Sequence, residues 1–315
     1  MLKLMRKIPG GMLIVPMIIA MVFTNIFPNA LHIGGMTEAT FTGKGSQAMI
    51  GILCFISGAN IDIKSVPKVI KKMGSLMLVR AIIGVLLNII YVKLFGFEGV
   101  LGIPALAVMS TTCISAALYL ALTLDYGSDL DIAGFSFAGL LANPGIMILL
   151  YSLGSEGELD VMTIVSSLIP LIVGLIVGNL DKEFASFIHP ATGMLMPFLG
   201  FTFGAGINIL DALKQSLNGV LLTLPIYFIS LPAMILFERK VLKTNGVASF
   251  ALSAVGAIAL SLPQLLQDID PVVAANASAL TSQLAFLTIF TSILTPILLS
   301  KYCKKMGIEK NKLER

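Results

Sequence analysis

Hydroxyl groups and prolines are concentrated in two apolar stretches of this chain, GIPALAVMSTTCISAALYLAL at 102–122 and ASFALSAVGAIALSLPQLLQ at 248–267. A proline removes a backbone donor, and an interrupted helix presents a positive N-terminal end that can hold an anion such as a carboxylate. We therefore expect two broken helices whose hydroxyls line a binding site. The candidate substrate-binding hydroxyls are those of Thr111, Thr112, Ser115 and Ser253. The alternative is that each hydroxyl bonds back to a carbonyl of its own helix.

A short phrase occurs twice, as GANIDI at 58–63 and as GAGINI at 204–209. Each copy ends an apolar stretch, and its Gly-Ala pair lets another backbone approach closely. Asn60 and Asn208 are candidate substrate-binding residues, because each can offer an amide to a substrate or to a broken helix.

Asp62 is the only acidic residue near the end of the second apolar stretch. Ionisable groups in such segments are functional candidates, so Asp62 is the candidate site for a coupling proton or cation. The alternative is a solvated carboxylate beside Lys64 at the inner face of the membrane.

Two further polar residues lie within apolar segments. Asn143 precedes Pro144, so it either faces the binding site or marks a simple helix kink. Arg80 lies near the start of a segment at 74–95, where it either snorkels to the inner surface or reaches a substrate carboxylate.

The composition indicates a polytopic α-helical membrane protein. The chain has 315 residues, 57% of them hydrophobic and 12% charged, with a mean hydropathy of +0.95. A soluble domain carries about twice this charged fraction. The net charge of +4 does not indicate nucleic-acid binding, because Lys and Arg in a membrane protein report orientation. Three cysteines, two of them within apolar runs, argue against a disulfide framework.

Ten stretches are long and apolar enough to be membrane spans. They are residues 9–27, 46–62, 74–95, 99–121, 130–153, 161–179, 191–210, 217–237, 246–267 and 272–299. With both termini in the cytoplasm, most Lys and Arg residues fall on the inner face, as the positive-inside rule requires. One loop is an exception, because LDYGSDLD at 124–131 is assigned to the inner face but has no basic residue.

The two halves of the chain repeat their polar residues in the same order. Pro16 and Asn25 in the first span correspond to Pro170 and Asn179 in the sixth, and the two Gly-Ala phrases end spans two and seven. Five spans are an odd number, so the second half enters the membrane from the opposite side. We therefore predict inverted repeats, 1–153 and 154–315, with helices 4 and 9 broken and crossing. Such repeats are typical of secondary transporters with alternating access.

The sequence does not favour an enzyme. Its only histidines, His32 and His189, lie in loop-like sequence, and no zinc-protease or acid-rich metal motif is present. We expect no cofactor and no bound metal. A passive channel is less favoured than a carrier, because broken inverted repeats suit alternating access.

Several motifs resemble the 2-keto-3-deoxygluconate permease family over nearly the whole chain. They are KIPGGMLIVPM near the start, the GA-x-I phrase, LYLALTLDYG, GNLD at 178–181 and TSILTPIL near the end. The resemblance implies import of a sugar acid with protons across the bacterial inner membrane. It also implies an architecture similar to that of bile-acid/sodium symporters, with ten spans and crossed broken helices four and nine.

The chain departs from the family pattern at two places in the expected site. The residues before Leu118 and Tyr119 are Ile-Ser-Ala-Ala where the family often has Thr-Asn-Gly-Gly. The residues just ahead of Pro144 are Leu-Ala-Asn, at 141–143, where the family tends to carry an acidic residue. These departures fit a divergent member with another substrate or coupling ion, and a sodium-coupled carrier of another carboxylate stays as the alternative.

The role of Asp62 can be tested by uptake of labelled 2-keto-3-deoxygluconate into vesicles, with pH and sodium gradients imposed separately. If this carboxylate carries the proton, pH-driven uptake disappears in Asp62→Asn. Unchanged uptake would remove Asp62 from the mechanism, and uptake driven by sodium alone would favour the sodium-coupled alternative.

Overall fold

The computed structural model describes residues 5, 11–60, 67–138, 141–153, 161–206, 208–309 and 311. This part of the chain is helical and contains no β-strand. The prediction of an all-α protein with several apolar helices is confirmed.

The first half contains nine helices within the described ranges. They are α1 (Gly11–Ile26), α2 (Gly35–Phe41), α3 (Gly43–Ala59), α4 (Ser75–Phe95), α5 (Ala105–Ser110), α6 (Ala116–Tyr126), α7 (Asp129–Ala133), α8 (Phe135–Ala138) and α9 (Pro144–Leu153). A short turn, Pro67–Val69, and a π-helical segment, Ile70–Gly74, lead directly into α4.

The second half contains eight helices within the described ranges. They are α10 (Val161–Leu180), α11 (Lys182–Ile188), α12 (Ala191–Ala205), α13 (Ile209–Leu221), α14 (Leu231–Lys240), α15 (Val247–Ala251), α16 (Ser261–Leu266) and α17 (Pro271–Met306). A π-helical segment, Pro225–Ser230, precedes α14, and a 3₁₀ turn, Ala257–Leu260, precedes α16.

Four continuous helical stretches in the described part are long and apolar enough to cross a membrane. They are Ile70–Phe95, Lys182–Ala205, Leu213–Lys240 and Pro271–Met306. Helical structure coincides with all ten predicted spans, but their passage through a membrane stays a prediction. The 36 residues of α17 correspond to a length of roughly 54 Å, which exceeds the roughly 30 Å hydrocarbon core.

Two glycine contacts repeat between the halves. A Cβ atom added at Gly58 of α3 would lie 2.0 Å from the carbonyl oxygen of Leu171 on α10, and one added at Gly204 of α12 would lie 2.0 Å from that of Met17 on α1. Met17 and Leu171 each follow a repeat proline, so the two contacts correspond. Glycine permits this close backbone approach, and α1, α3, α10 and α12 form one packed group.

The exceptional loop at 124–131 contacts basic parts of the chain. The backbone nitrogen of Asn311, in the C-terminal tail, donates to the carbonyl of Asp125, and its side chain donates to the carbonyl of Gly127. Asp131 forms a buried ion pair with Lys72. The loop therefore lies beside the basic tail, and Lys72, from another segment, supplies the positive charge that pairs with Asp131.

The backbone contact at Gly58 can be tested with two alanine substitutions on α3. Gly58→Ala should destabilise the protein by roughly 1–3 kcal/mol, because the added methyl group forces α3 and α10 apart. Gly51→Ala is the matched control, since a Cβ there meets no atom within 4 Å. Thermal unfolding in detergent should therefore show a lower melting temperature for Gly58→Ala alone. Equal melting temperatures would contradict the close packing of α3 on α10.

Candidate functional site

Both predicted broken helices are interrupted, and their interruptions are in direct contact. The first break, residues 111–115, separates α5 from α6, and the second break, residues 252–256, follows α15. The backbone nitrogen of Ser115 donates to the carbonyl of Ala254 at 2.8 Å. A Cβ added at Gly256 would lie only 2.2 Å from the carbonyl oxygen of Ile114. The two breaks therefore share backbone hydrogen bonding that neither could make as a continuous helix.

Neighbouring segments satisfy further backbone groups of the breaks. The hydroxyl of Thr291, on α17, accepts a hydrogen bond from the backbone nitrogen of Val255 at 3.1 Å. The carbonyl of Leu141 accepts one from the backbone nitrogen of Ile114 at 3.4 Å. Such partners are needed because an unpaired backbone group away from water costs free energy comparable to a lost hydrogen bond.

Arg80, on α4, holds the carbonyl end of α5. Its side chain is 1% exposed, so it does not snorkel to a surface. The Nε atom donates to the carbonyl of Thr112 at 2.9 Å, and Nη2 donates to the carbonyls of Thr111 and Cys113 at 2.9 and 3.1 Å. These carbonyls lie in the first break, directly after the negative end of α5, which favours a nearby cation.

The guanidinium of Arg80 retains one free nitrogen. Its Nη1 atom has no hydrogen-bond partner, and no carboxylate forms an ion pair with Arg80, among the residues that the structure describes. Burying a cation without an anion is costly, and the partial charges of three carbonyls offset that cost incompletely. The first break is therefore a buried site with an unmatched positive charge.

The predicted hydroxyls differ in their hydrogen bonds. Thr111 donates to the carbonyl of Val108, and Ser253 donates to that of Phe250, each at 2.7 Å, as the alternative interpretation expects. The hydroxyl of Ser115 instead caps α6 by accepting from the backbone nitrogen of Leu118. These hydroxyls thus stabilise helix ends beside the breaks.

Thr112 and Ser253 also have close neighbours on other helices. A Cβ added at Gly84 would lie 1.9 Å from the hydroxyl oxygen of Thr112, so Gly84 makes room for this side chain against α4. The hydroxyls of Ser253 and Thr295 are 3.4 Å apart, and Thr295 bonds Tyr227 at 2.8 Å. The second break therefore continues into a neutral hydroxyl network on α17.

Asn143 is both a helix cap and a free donor. Its Oδ1 atom accepts from the backbone nitrogens of Gly145 and Ile146 at 2.9 and 3.4 Å, which explains why α9 begins at Pro144. The side chain is 1% exposed, it lies beside the thiol of Cys54, and its Nδ2 atom has no hydrogen-bond partner in the described ranges.

The other predicted site residues lie at helix ends away from these contacts. Asn60 donates to the carbonyl of Ile56, and its Oδ1 atom is 2.9 Å from Nδ1 of His189. Asn208 is exposed and accepts from the backbone nitrogen of Leu210. Asp62, the predicted coupling residue, lies outside the described residues.

Asn88 is a buried polar residue that the sequence analysis did not single out. It is completely buried, and neither its Oδ1 nor its Nδ2 atom has a hydrogen-bond partner in the part that the structure describes. Residues four apart on a helix lie on one face, so Asn88 follows Arg80 and Gly84 along the same buried face of α4. The spacing of Arg80, Gly84 and Asn88 in an otherwise apolar helix was the available signal.

Comparison with known proteins gives a consistent result. The sequence profile of the family described as 2-keto-3-deoxygluconate permease matches residues 2–308. The chain is 34% identical to 2-keto-3-deoxygluconate permease 1 of Salmonella typhimurium, over 98% of both chains. It is 29% identical to the permease of that name from Xanthomonas euvesicatoria pv. vesicatoria, over 95% of this chain and 96% of the relative. The corresponding protein of Escherichia coli O157:H7 is 27% identical, over 99% of this chain and 97% of the relative.

The chain has apolar helices and two interrupted segments that contact each other, and its relatives are named permeases. Together these findings define a multi-pass membrane transporter rather than an enzyme. The chain belongs to the 2-keto-3-deoxygluconate permease family.

The contact between the breaks can be tested by hydrogen exchange. Gly256→Ala places a methyl group against the backbone of Ile114, so the hydrogen bond from Ser115 to Ala254 should weaken. A cost of at least about 1.4 kcal/mol would accelerate exchange of a peptide containing the Ser115 amide by about tenfold or more. The matched control is Gly206→Ala, because Gly206 also follows a helix end and its added Cβ has no neighbour closer than 3.8 Å. Unchanged exchange in Gly256→Ala would contradict the described contact.

Proposed function

We propose that this chain imports 2-keto-3-deoxygluconate, or a closely related sugar acid, by proton symport with alternating access. We place it in the bacterial inner membrane with both termini in the cytoplasm. The observation that carries the proposal is the buried guanidinium of Arg80, which has a free Nη1 atom and no carboxylate partner in the described part of the chain.

The chemistry of a sugar acid suits this site. Its carboxylate is ionised at neutral pH and can pair with Nη1 of Arg80 through a charge-assisted hydrogen bond. Pairing also supplies the negative charge that the buried guanidinium lacks. The keto group and hydroxyls of the substrate can bond the free amide groups of Asn88 and Asn143. The names of the relatives support this substrate.

The hydroxyl and amide residues predicted from the sequence have different roles in this proposal. Thr111, Thr112, Ser115 and Ser253 lie at or next to the breaks, where Thr112 is adjacent to the carbonyls that Arg80 binds. Asn60 and Asn208 lie at the ends of helices in the group formed by α1, α3, α10 and α12, where a moving interface could bring them to the substrate. Asp62 stays a proposed coupling residue, whose role the uptake experiment decides.

Alternating access, in this proposal, requires two groups of helices to move relative to each other. The glycine contacts hold α1, α3, α10 and α12 together, whereas the breaks and Arg80 belong to the remaining helices. In an inverted repeat, rocking one unit against the other opens a mid-membrane site to one side and then to the other. The carrier would thus move a bound sugar acid without a continuous channel.

Arg80 can be tested in proteoliposomes with labelled 2-keto-3-deoxygluconate and with its uncharged carboxamide. The wild type should prefer the acid, and Arg80→Gln should lower acid uptake at least about tenfold more than carboxamide uptake, because one charge-assisted hydrogen bond contributes about 1.5–3 kcal/mol. Lys93→Gln is the matched control, since Lys93 is an exposed cation on the same helix.

A second variant separates binding from support of α5. Arg80→Lys keeps the positive charge but loses the planar group that spans three carbonyls. We expect it to retain the preference for the acid. If Arg80→Gln and the wild type discriminate equally between acid and carboxamide, Arg80 serves only to hold the helix end and the proposed binding mode is wrong. If only a sodium gradient drives uptake, the coupling ion is sodium and not the proton.

A further inference from the structure

A second buried group of charges lies about two turns before Arg80, at the start of the same continuous helical stretch. We call Lys72, Asp131 and Glu238 the charge triad. The Nζ atom of Lys72 donates to Oδ1 of Asp131 and lies 3.4 Å from Oε1 of Glu238. Their side chains are at most 4% exposed, so two carboxylates share one ammonium group away from water.

Further hydrogen bonds hold the carboxylates of the triad. Oδ2 of Asp131 accepts from the backbone nitrogen and the hydroxyl of Ser128 at 2.9 and 2.8 Å. Oε2 of Glu238 accepts from the backbone nitrogen and the hydroxyl of Ser249 at 2.8 and 2.6 Å. Oε1 of Glu238 accepts from the hydroxyl of Thr244 at 2.8 Å. Counted by formal charge, two carboxylates and one ammonium group give the triad one unit of negative charge.

Three other titratable groups face the triad. The hydroxyl of Tyr119 donates to the carbonyl of Asp131 at 2.7 Å and also lies in the field of Glu238. Tyr302 lies in the electrostatic fields of both Glu238 and Arg239. Arg239 is exposed, so water screens its charge more strongly than that of the buried Lys72.

The triad is linked to both broken helices. Asp131 is joined to α6 through Tyr119, and Glu238 is joined to α15 through Ser249. Ser249 lies one turn before Ser253 at the second break. Lys72 and Arg80 are eight residues apart on a continuous helical stretch, a separation of roughly 12 Å along its axis. The triad is therefore in hydrogen-bond contact with segments next to both breaks.

The buried charges in the described part of the chain balance. The buried charged side chains there are Lys72, Arg80, Asp131 and Glu238, two positive and two negative. A bound sugar-acid monoanion adds one negative charge, and one proton on a carboxylate of the triad restores neutrality. Because an unbalanced charge in the membrane interior is costly, the empty carrier and the carrier with both substrate and proton are the two favourable states for movement.

We propose that the charge triad binds the co-transported proton, one for each monoanion, and that transport is therefore electroneutral. This inference rests on the proposed function and assigns its coupling site. The proton comes from water on the side where substrate enters and binds an oxygen of Asp131 or Glu238. It returns to water on the other side when the substrate leaves, and no covalent bond of the substrate changes.

The wild-type protein can be tested first, in liposomes that contain a pH-sensitive dye. Counterflow of labelled 2-keto-3-deoxygluconate, which needs no driving gradient, tests the transporter itself. Absence of counterflow would overturn the proposed function. With counterflow present, we expect one proton to enter with each substrate molecule and an imposed membrane potential to leave the uptake rate unchanged. A different ratio, or uptake driven by potential, would overturn the triad proposal while the transporter stands.

Neutral variants then locate the proton. In Glu238→Gln and Asp131→Asn the triad cannot carry its extra negative charge, so the ratio of pH-driven uptake to counterflow should fall at least tenfold. Net uptake should instead respond to an inside-positive potential, because the variants carry an unbalanced monoanion. Glu183→Gln and Asp129→Asn are the matched controls, since both carboxylates are exposed and Asp129 lies on the same helix as Asp131.

The variants also distinguish coupling from structural support. Size-exclusion profiles and thermal unfolding identify the folded variants, and either folded triad variant is sufficient for the test. If a folded variant keeps the wild-type ratio of pH-driven uptake to counterflow, or loses both activities equally, the triad is not the proton site. Loss of coupling in Asp62→Asn, with coupling intact in the triad variants, would assign the proton to Asp62 and overturn the triad proposal.

Discussion

The carbonyl groups at the end of α5 impose the constraint on which the rest of this structure depends. A helix that stops within buried surroundings leaves carbonyl groups that need other hydrogen-bond donors. Arg80 satisfies carbonyls of three consecutive residues, 111–113, with two of its nitrogens. The same side chain thereby brings a full positive charge into the interior. The helix interruption and the buried cation depend on each other, because unpaired carbonyl groups and a buried positive charge are each costly without the other.

The two breaks are stabilised differently, although they occupy corresponding places in the two halves. The first uses the cation of Arg80, whereas the second uses neutral hydroxyls on α17, including those of Thr291 and Thr295. Asn143 and Thr295 each precede the proline of their repeat, and one is an amide while the other is a hydroxyl. The proposed site between these halves would be charged on one side and neutral on the other, which suits the proposed substrate, with a carboxylate at one end and hydroxyls along its length.

The charge triad explains why the acidic loop at 124–131 has no basic residue of its own. Asp131 does not need a basic residue within its own loop, because Lys72 comes from the segment before α4. Glu238 joins the pair from the second half, so one ammonium group connects both halves of the chain. Separating a buried ion pair leaves an uncompensated charge, so the triad also opposes separation of the segment before α4 from α7 and α14.

Local patterns in the sequence were sufficient for the class of protein, for the approximate places of its helices and for the interruptions near Ser110 and Ala251. Hydropathy, proline and glycine act over neighbouring residues, so these features can be read along the chain. Membership of the family also followed from motifs such as IPGGM and GNLD. The ten-span inverted arrangement stays a prediction drawn from the same patterns.

Only the tertiary structure decided which polar groups meet. The partners of Arg80 are about 30 residues away in the chain, and Lys72 meets Asp131 and Glu238 from separate segments. The spacing of Arg80 and Asn88 indicated one helix face, but it did not show that their nitrogen atoms would be buried and free. Hydrogen bonds and ion pairs act over a few ångströms in space, whereas sequence patterns report separation along the chain, so the packing of distant segments determined the site.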